Sequence, residues 1–340
     1  MKYKLGITVT VIAVVLAGCA KSESTVLKVH HFVSQHSTIN AQMIEPWCKR
    51  VEAESAGSLK CQIYPSMQLG GTPPQLYDQV KDGVVDVVFA VPGFSAGRFP
   101  SVEVFELPFM MKDAQATSKA LWDYVASNGQ HEFGDVHPLA LNVHGPGLFH
   151  MIRKPVKVRA DLKGLKVRAP TRQASNFVAA LGGIPVGMPL PQVPEALSKG
   201  VIDGVVVPYE IIPTIKVNEL AHFHSEPDPS QPAIYTTVFL FAMNQHTYDT
   251  LTPAQRQVID ANSGVELSGQ FGKIMSDGDA AGRVSVPAES INVIAAEEVK
   301  QWIELTRPLA DRWVAEMNEK GADGKALLAS ARSLTEKYSQ

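Results

Sequence analysis

What this sequence has little of narrows its function before any motif is read. Its 31 basic and 34 acidic residues nearly cancel to a net charge of −3, and no run of five basic residues occurs. A nucleic-acid-binding chain needs a clustered basic face, so nucleic acid is excluded as a partner. No Walker loop and no Gly-x-Gly-x-x-Gly turn is present, so ATP and dinucleotides have no sequence support and no cofactor is expected. Only three cysteines occur, and no His-Glu-x-x-His pattern, which leaves a zinc centre little to stand on. His222-Phe223-His224 with Glu226 would put two imidazoles on one strand face. Two loop histidines near a turn are the plainer reading, and no metal is expected.

Long apolar runs are also missing. Lys2, Lys4 and the run from Leu5 to Leu16 form a targeting segment, too short for the roughly 20 residues of a bilayer span. It ends in Leu16-Ala17-Gly18-Cys19, which resembles the lipobox of bacterial lipoproteins. The resemblance implies a signal peptide over 1–18, lipidation of Cys19, a polar tether over 19–25 and a periplasmic, membrane-anchored protein. The alternative is an ordinary secretory signal cut after a small residue. Export leaves Cys48 and Cys61 in an oxidising compartment. A disulfide joining a helix to the next strand is expected, worth a few kcal/mol at most for so short a loop. Two buried free thiols are the other reading.

What is there reads as an α/β protein. A hydrophobic fraction of 45% with 19% charged residues is globular, and 340 residues suffice for two lobes. The stretch from Asp161 to Glu210 holds strand, helix, strand, helix and strand, the first strand ending at Arg168-Ala169-Pro170 and the last at Pro208. In open α/β sheets ligands sit beyond the carboxyl ends of the strands, where Arg168 stands. A helix–Gly–strand–Pro unit from Leu76 to Pro92 parallels the one from Val193 to Pro208. Two copies point to two similar lobes facing a cleft. The spacing also predicts a helix over Ile39–Glu54, a crossover at His144-Gly145-Pro146-Gly147, and a strand over Tyr235–Asn244. Thr252-Pro253-Ala254-Gln255 is a capping box opening a long helix, and Ala295–Glu319 is the last long helix, with Pro308 inside it.

Lys163-Gly164-Leu165-Lys166-Val167-Arg168-Ala169-Pro170, Ala180-Leu181-Gly182-Gly183-Ile184-Pro185-Val186 and Glu195-Ala196-Leu197-Ser198-Lys199-Gly200-Val201-Ile202-Asp203-Gly204 together resemble the solute-binding subunits of tripartite ATP-independent periplasmic (TRAP) transporters. The likeness extends from the first strand to the last helix. It implies a two-lobe periplasmic binding protein fold, a ligand cleft between the lobes, and a long kinked helix spanning both. The lobes are expected at 26–146 with 233–272 and at 147–232 with 273–338. It implies further that the chain is no enzyme, captures a small organic acid and hands it to two integral-membrane permease subunits; a ligand-sensing receptor using the same pocket is the alternative. Arg168 matches the arginine that forms a two-pronged ion pair with the ligand carboxylate.

Two departures bear on the ligand. Val207 stands where many members carry Asn, and Gly145-Pro146-Gly147-Leu148-Phe149 replaces a segment that often holds a second arginine. A less polar pocket disfavours sugar acids and favours an apolar or aromatic monocarboxylate, of the hydroxybenzoate or aryl-keto-acid kind. Val207, Phe149, Phe94 and Tyr209 are its expected apolar lining, with Tyr235 as a hydroxyl partner, although each taken singly reads better as core. Glu210 either accepts from a ligand hydroxyl or is a solvated acid at a helix start. From the first lobe, His31, Gln68 and Gly93 join the candidates by position. One motif argues for a different class. Gly93-Phe94-Ser95-Ala96-Gly97 matches a nucleophile elbow, but the elbow needs a helix directly after its serine, and Arg98-Phe99-Pro100 does not supply one.

Overall fold

A computed structural model describes residues 24–340, apart from the side chains of 129–131. The expectations for the signal segment and for Cys19 lie outside the described residues. Eleven strands occur among them: β1 (Thr25–His31), β2 (Leu59–Tyr64), β3 (Val87–Ala90), β4 (Val136–Val143), β5 (Leu148–Met151), β6 (Lys166–Ala169), β7 (Ile184–Gly187), β8 (Gly204–Val207), β9 (Phe223–Pro227), β10 (Val238–Asn244) and β11 (Ile291–Ile294). They form two sheets, ordered β2-β1-β3-β10-β4 and β11-β9-β5-β8-β6-β7. The helices are α1 (Glu45–Glu54), α2 (Leu76–Lys81), α3 (Ala114–Tyr124), α4 (Arg172–Ala180), α5 (Val193–Ser198), α6 (Val217–Leu220), α7 (Gln245–Thr250), α8 (Pro253–Ala261), α9 (Val265–Arg283), α10 (Ala296–Glu319) and α11 (Gly324–Tyr338).

The internal echo has an atomic basis. In the first sheet Asp86 precedes β3, and its carboxylate accepts from the Lys28 N–H of β1 at 2.8 Å. In the second, Asp203 precedes β8 and accepts from the Lys166 N–H of β6, also at 2.8 Å. The same turn reverses both chains. Gly83 and Gly200 take φ of 72° and 65°, a left-handed conformation that suits glycine. Two parallel strand pairs, β1–β3 and β6–β8, result. Both β3 and β8 are buried on both faces, which explains their unbroken apolar sequences.

The chain passes between the sheets at Gly145–Gly147 and returns before β10. The crossings are bonded to each other, with the Gly147 N–H donating to the Tyr235 carbonyl at 3.0 Å. A Cβ on Gly147 would lie 1.9 Å from the Tyr235 ring, so only glycine permits this approach. Cys48 and Cys61 form the disulfide, with their Cα atoms 5.7 Å apart, tying α1 to β2.

Four expectations change. The Thr252 capping box is present, but the helix it opens ends at Ala261, and α9 starts afresh after Gly264. Asn262-Ser263-Gly264 breaks the run, Gly264 having a φ of 97°. The Ile39–Glu54 helix begins as a π-turn over Ile39–Ile44 before α1. In addition, α10 is not the last long helix, because α11 follows it. Finally, segment 273–338, assigned from sequence to the second lobe, is divided. Val299, Trp302 and Leu309 of α10 pack in the second sheet's core, whereas Trp313, Met317 and Ala331 join the first. The long proline-containing helix therefore touches both cores, as expected, but the C-terminal helix belongs with the first. Polar side chains add a second link: Arg172 of α4 donates to Glu103, before α3, and to Glu316 of α10.

Candidate functional site

A cleft lies between the sheets, with about 450 Å³ of empty space when the part open to solvent is counted. Phe32, Phe94 and Phe239 line it from the first sheet's side, Arg168, Val207 and Glu210 from the second's, and His144, Tyr235 and Thr237 from the crossovers. Strand parity puts Arg168 there. In β6, Val167 and Ala169 point into the second core, so the residue between them points away from it.

Arg168 is 1% exposed. Its Nε donates to the Met188 carbonyl at 3.0 Å, and Nη1 makes a long contact of 3.5 Å with the Val206 carbonyl. No carboxylate pairs with it among the described residues. Burial draws its pKa down to about 10, with the nearby Tyr235 opposing the shift. A guanidinium held dry against carbonyls retains donors in a planar fork, suited to an anion. Two further donors share the cleft: the Tyr235 and Thr237 hydroxyls are buried without a hydrogen-bond partner. Glu210, 5% exposed, also lines it, its carboxyl oxygens buried without a well-aligned partner, and burial pushes its pKa up to about 7 against the opposing effect of the Thr38 hydroxyl.

Of the residues picked out from sequence, Arg168, Val207, Glu210, Phe94 and Tyr235 meet around this cleft. The other five do not line it. Phe149 is fully buried in the second core against Trp302 and Phe177, because in β5 it shares a strand face with Met151. The Tyr209 ring turns the other way, edge-on to His150 at 5.3 Å. His31 is buried behind the cleft, its Nε2 bonded to the Asn40 amide oxygen at 2.9 Å. Gln68 is exposed in a turn set by the left-handed residues Ser66 and Met67. Gly93 is a contact point between the halves, where a Cβ would come 2.6 Å from the Thr171 methyl.

Residues not picked out include His144, Thr237, Phe239, Ile39, Leu190 and Met275. His144 precedes the Gly-Pro-Gly crossover and stands edge-on to Tyr235 at 5.4 Å, its pKa lowered to about 4 by burial. Its place beside the predicted crossover was the only sequence signal for it. Met275 and Leu190 come from distant segments, and no local pattern marks them. The remaining motifs resolve differently. Ser95 directs its hydroxyl to the Pro74 carbonyl at 3.5 Å, and the next helical element starts only at Val102. His224 is buried with its Nδ1 2.7 Å from the Nδ1 of His150, while His222 is exposed, so the two do not form one site.

Known proteins agree with this architecture. The family profile described as bacterial extracellular solute-binding protein, family 7, matches residues 29–317. A TRAP solute binding protein from Rhodoferax ferrireducens, in complex with copurified benzoate, is 49% identical; the match covers 93% of this chain and 99% of that one at a TM-score of 0.91. A marine metagenome TRAP solute binding protein specific for aromatic acid ligands, solved with 3-hydroxybenzoate, is 42% identical over 94% of this chain and all of that one, with a TM-score of 0.91. A TRAP periplasmic solute binding protein from Bordetella bronchiseptica with bound (R)- and (S)-mandelate is 26% identical, covers 92% and 99% of the two chains, and has a TM-score of 0.84. The chain belongs to family 7 of the bacterial extracellular solute-binding proteins, the solute-binding proteins of TRAP transporters.

Proposed function

We propose that this protein captures an aromatic monocarboxylate, with Arg168 gripping the carboxylate, and delivers it to the two integral-membrane permease subunits of its transporter. The observation that carries the reading is Arg168 itself, a buried cation without a carboxylate partner among the described residues, in a cleft walled by Phe32, Phe94, Val207 and Phe239. A buried charge is costly until paired, so an anion offsets the desolvation already incurred. Apolar walls favour a flat ring over a hydroxyl-covered sugar acid, which would leave its polar groups unmatched. Relatives carrying benzoate and 3-hydroxybenzoate support the same class. The two halves act as lobes that close about the paired crossovers.

A thermal-shift series tests this. A ligand at a hundred times its dissociation constant stabilises by about 2.7 kcal/mol, a rise of several degrees. Benzoate and mandelate are expected to raise the melting temperature, and benzoate to shrink the radius of gyration. Succinate and glucuronate are expected to do neither; the reverse pattern would reject the proposal.

Lipidation of Cys19 belongs to the same proposal and rests on the Leu16-Ala17-Gly18-Cys19 pattern. Cells fed an alkyne fatty acid should label the wild-type protein and leave Cys19→Ala unlabelled. An unlabelled wild type would mean an ordinary secretory signal.

A further inference from the structure

Glu210 is built into the cleft in a way that neither the fold nor the carboxylate anchor requires. Its main chain is clamped against α9: the Glu210 N–H donates to Asp279 Oδ1 at 2.8 Å. Two glycines one turn apart on α9 make room for it. A Cβ on Gly282 would lie 2.0 Å from the Tyr209 carbonyl oxygen, and one on Gly278 would lie 2.6 Å from Glu210 Cγ. The side chain is thus held in a groove carved for it, at the cleft wall beside Ile211 and Met275. Both carboxyl oxygens are buried, and the only side-chain donor beside them among the described residues is the Thr38 hydroxyl, which is too poorly aligned for a good hydrogen bond. A structural carboxylate so enclosed is normally bonded, because leaving it unsatisfied costs its full desolvation. Arg168 does not neutralise it; its guanidinium is directed at the Met188 and Val206 carbonyls instead.

The geometry points to Glu210 as the acceptor for a hydroxyl on the ring of the bound acid, so that the preferred ligands are hydroxybenzoate-type acids rather than the unsubstituted ring. The inference rests on the aromatic-acid reading above and sharpens it. A carboxyl group in an otherwise apolar wall complements a donor substituent, and a phenolic hydroxyl supplies one without adding a charge to the dry cleft. Burial, which pushes the Glu210 pKa up to about 7, leaves a substantial ionised fraction at neutral pH to accept that bond. Hydrogen bonds to charged groups typically change affinity by roughly tenfold to a hundredfold.

Calorimetry at pH 7.5 with benzoate, the three hydroxybenzoate isomers and 3-methoxybenzoate, on wild type, Glu210→Gln and Glu210→Leu, tests the assignment. At least one hydroxybenzoate should bind wild type roughly tenfold or more tighter than benzoate, and the methoxy compound, of similar bulk but without a donor, should not. Glu210→Leu should erase that preference, so that hydroxybenzoates and benzoate bind it alike, with Glu210→Gln intermediate because it keeps an acceptor oxygen. A cooperative thermal unfolding transition like that of wild type shows that each variant is folded. If hydroxybenzoates bind no tighter than benzoate, or if the variants weaken all ligands in parallel, the role of Glu210 is overturned while the aromatic-acid reading stands. If wild type binds none of these acids, both are overturned.

Discussion

At the scale of single residues, Arg168 carries the most consequence. Among the described residues it is the only arginine in the set of largest fully buried side chains, and its neighbours are carbonyls, an apolar wall and two hydroxyls. Removing one partner of a buried ion pair costs roughly 3–5 kcal/mol. Arg168→Ala should therefore weaken binding of an aromatic acid by about two to three and a half decades in calorimetry. Arg168→Lys should recover only part of the loss, because an ammonium cannot match both carboxylate oxygens in one plane. A folded Arg168→Ala that loses less than tenfold would remove the residue from the site. Arg168 was legible because it ends a strand inside a specific motif, and Glu210 because it follows a second strand's terminal proline. Phe149 misled for a physical reason: near a strand end, parity decides between core and cleft, and the sequence gives no absolute phase for so short a strand.

At the scale of elements, local chemistry announced most of the starts and few of the ends. The Thr252–Gln255 capping box is formed, as are N-caps by Asp113, Thr171 and Asp323, whose side chains each accept from a backbone N–H three residues on. Gly264 and Gly321, both left-handed, separate α8 from α9 and α10 from α11. Because apolar periodicity resumes on either side of such a glycine, the break at Gly264 read as continuity, and α11 went unassigned. The glycines of α9 have a further role. Gly269 and Gly272 let it approach Lys119, Ala114 and Ser118 of α3, and Gly278 and Gly282 let it approach Tyr209 and Glu210. One small-residue helix thereby packs against both halves of the protein at backbone distance. Mid-helix glycine costs about 1 kcal/mol in propensity, a cost offset here by close packing.

At the scale of the whole molecule, the buried titratable groups set a pH dependence with a definite sign. Burial raises Glu106 to about 8 and Glu132, Glu210 and Asp279 to about 7. The folded state thus binds more protons than the unfolded chain across this window, so their stabilisation is present at low pH and is lost as pH rises through 7 to 8. Burial lowers His31, His144 and His224 to about 4 and His150 to about 3. Those histidines bind fewer protons folded than unfolded, so their contribution is present above the ordinary histidine range and is lost as pH falls toward 4. The two sets oppose each other up to about pH 6.5, and above it only the acids still titrate. The melting temperature of the ligand-free protein should accordingly fall between pH 6.5 and 8.5, as read by calorimetry. A flat or rising profile over that interval would show that these carboxyls are not held protonated by burial.

The sequence alone determined the architecture's repeating unit. Helix, left-handed glycine, aspartate and a buried strand ending in proline are local instructions, and both copies execute them with the same Asp-to-backbone bond, at Asp86 and at Asp203. It also determined which arginine ends a strand, and which two cysteines remained to pair. Only the tertiary structure decided what faces the cleft. His144, Met275 and Leu190 reach it from three separate segments, while Tyr209, one residue from Glu210, turns toward His150 instead. A cleft wall is assembled by how two sheets and the helices crossing them pack together. That packing depends on contacts between residues far apart in the chain, which no local spacing encodes.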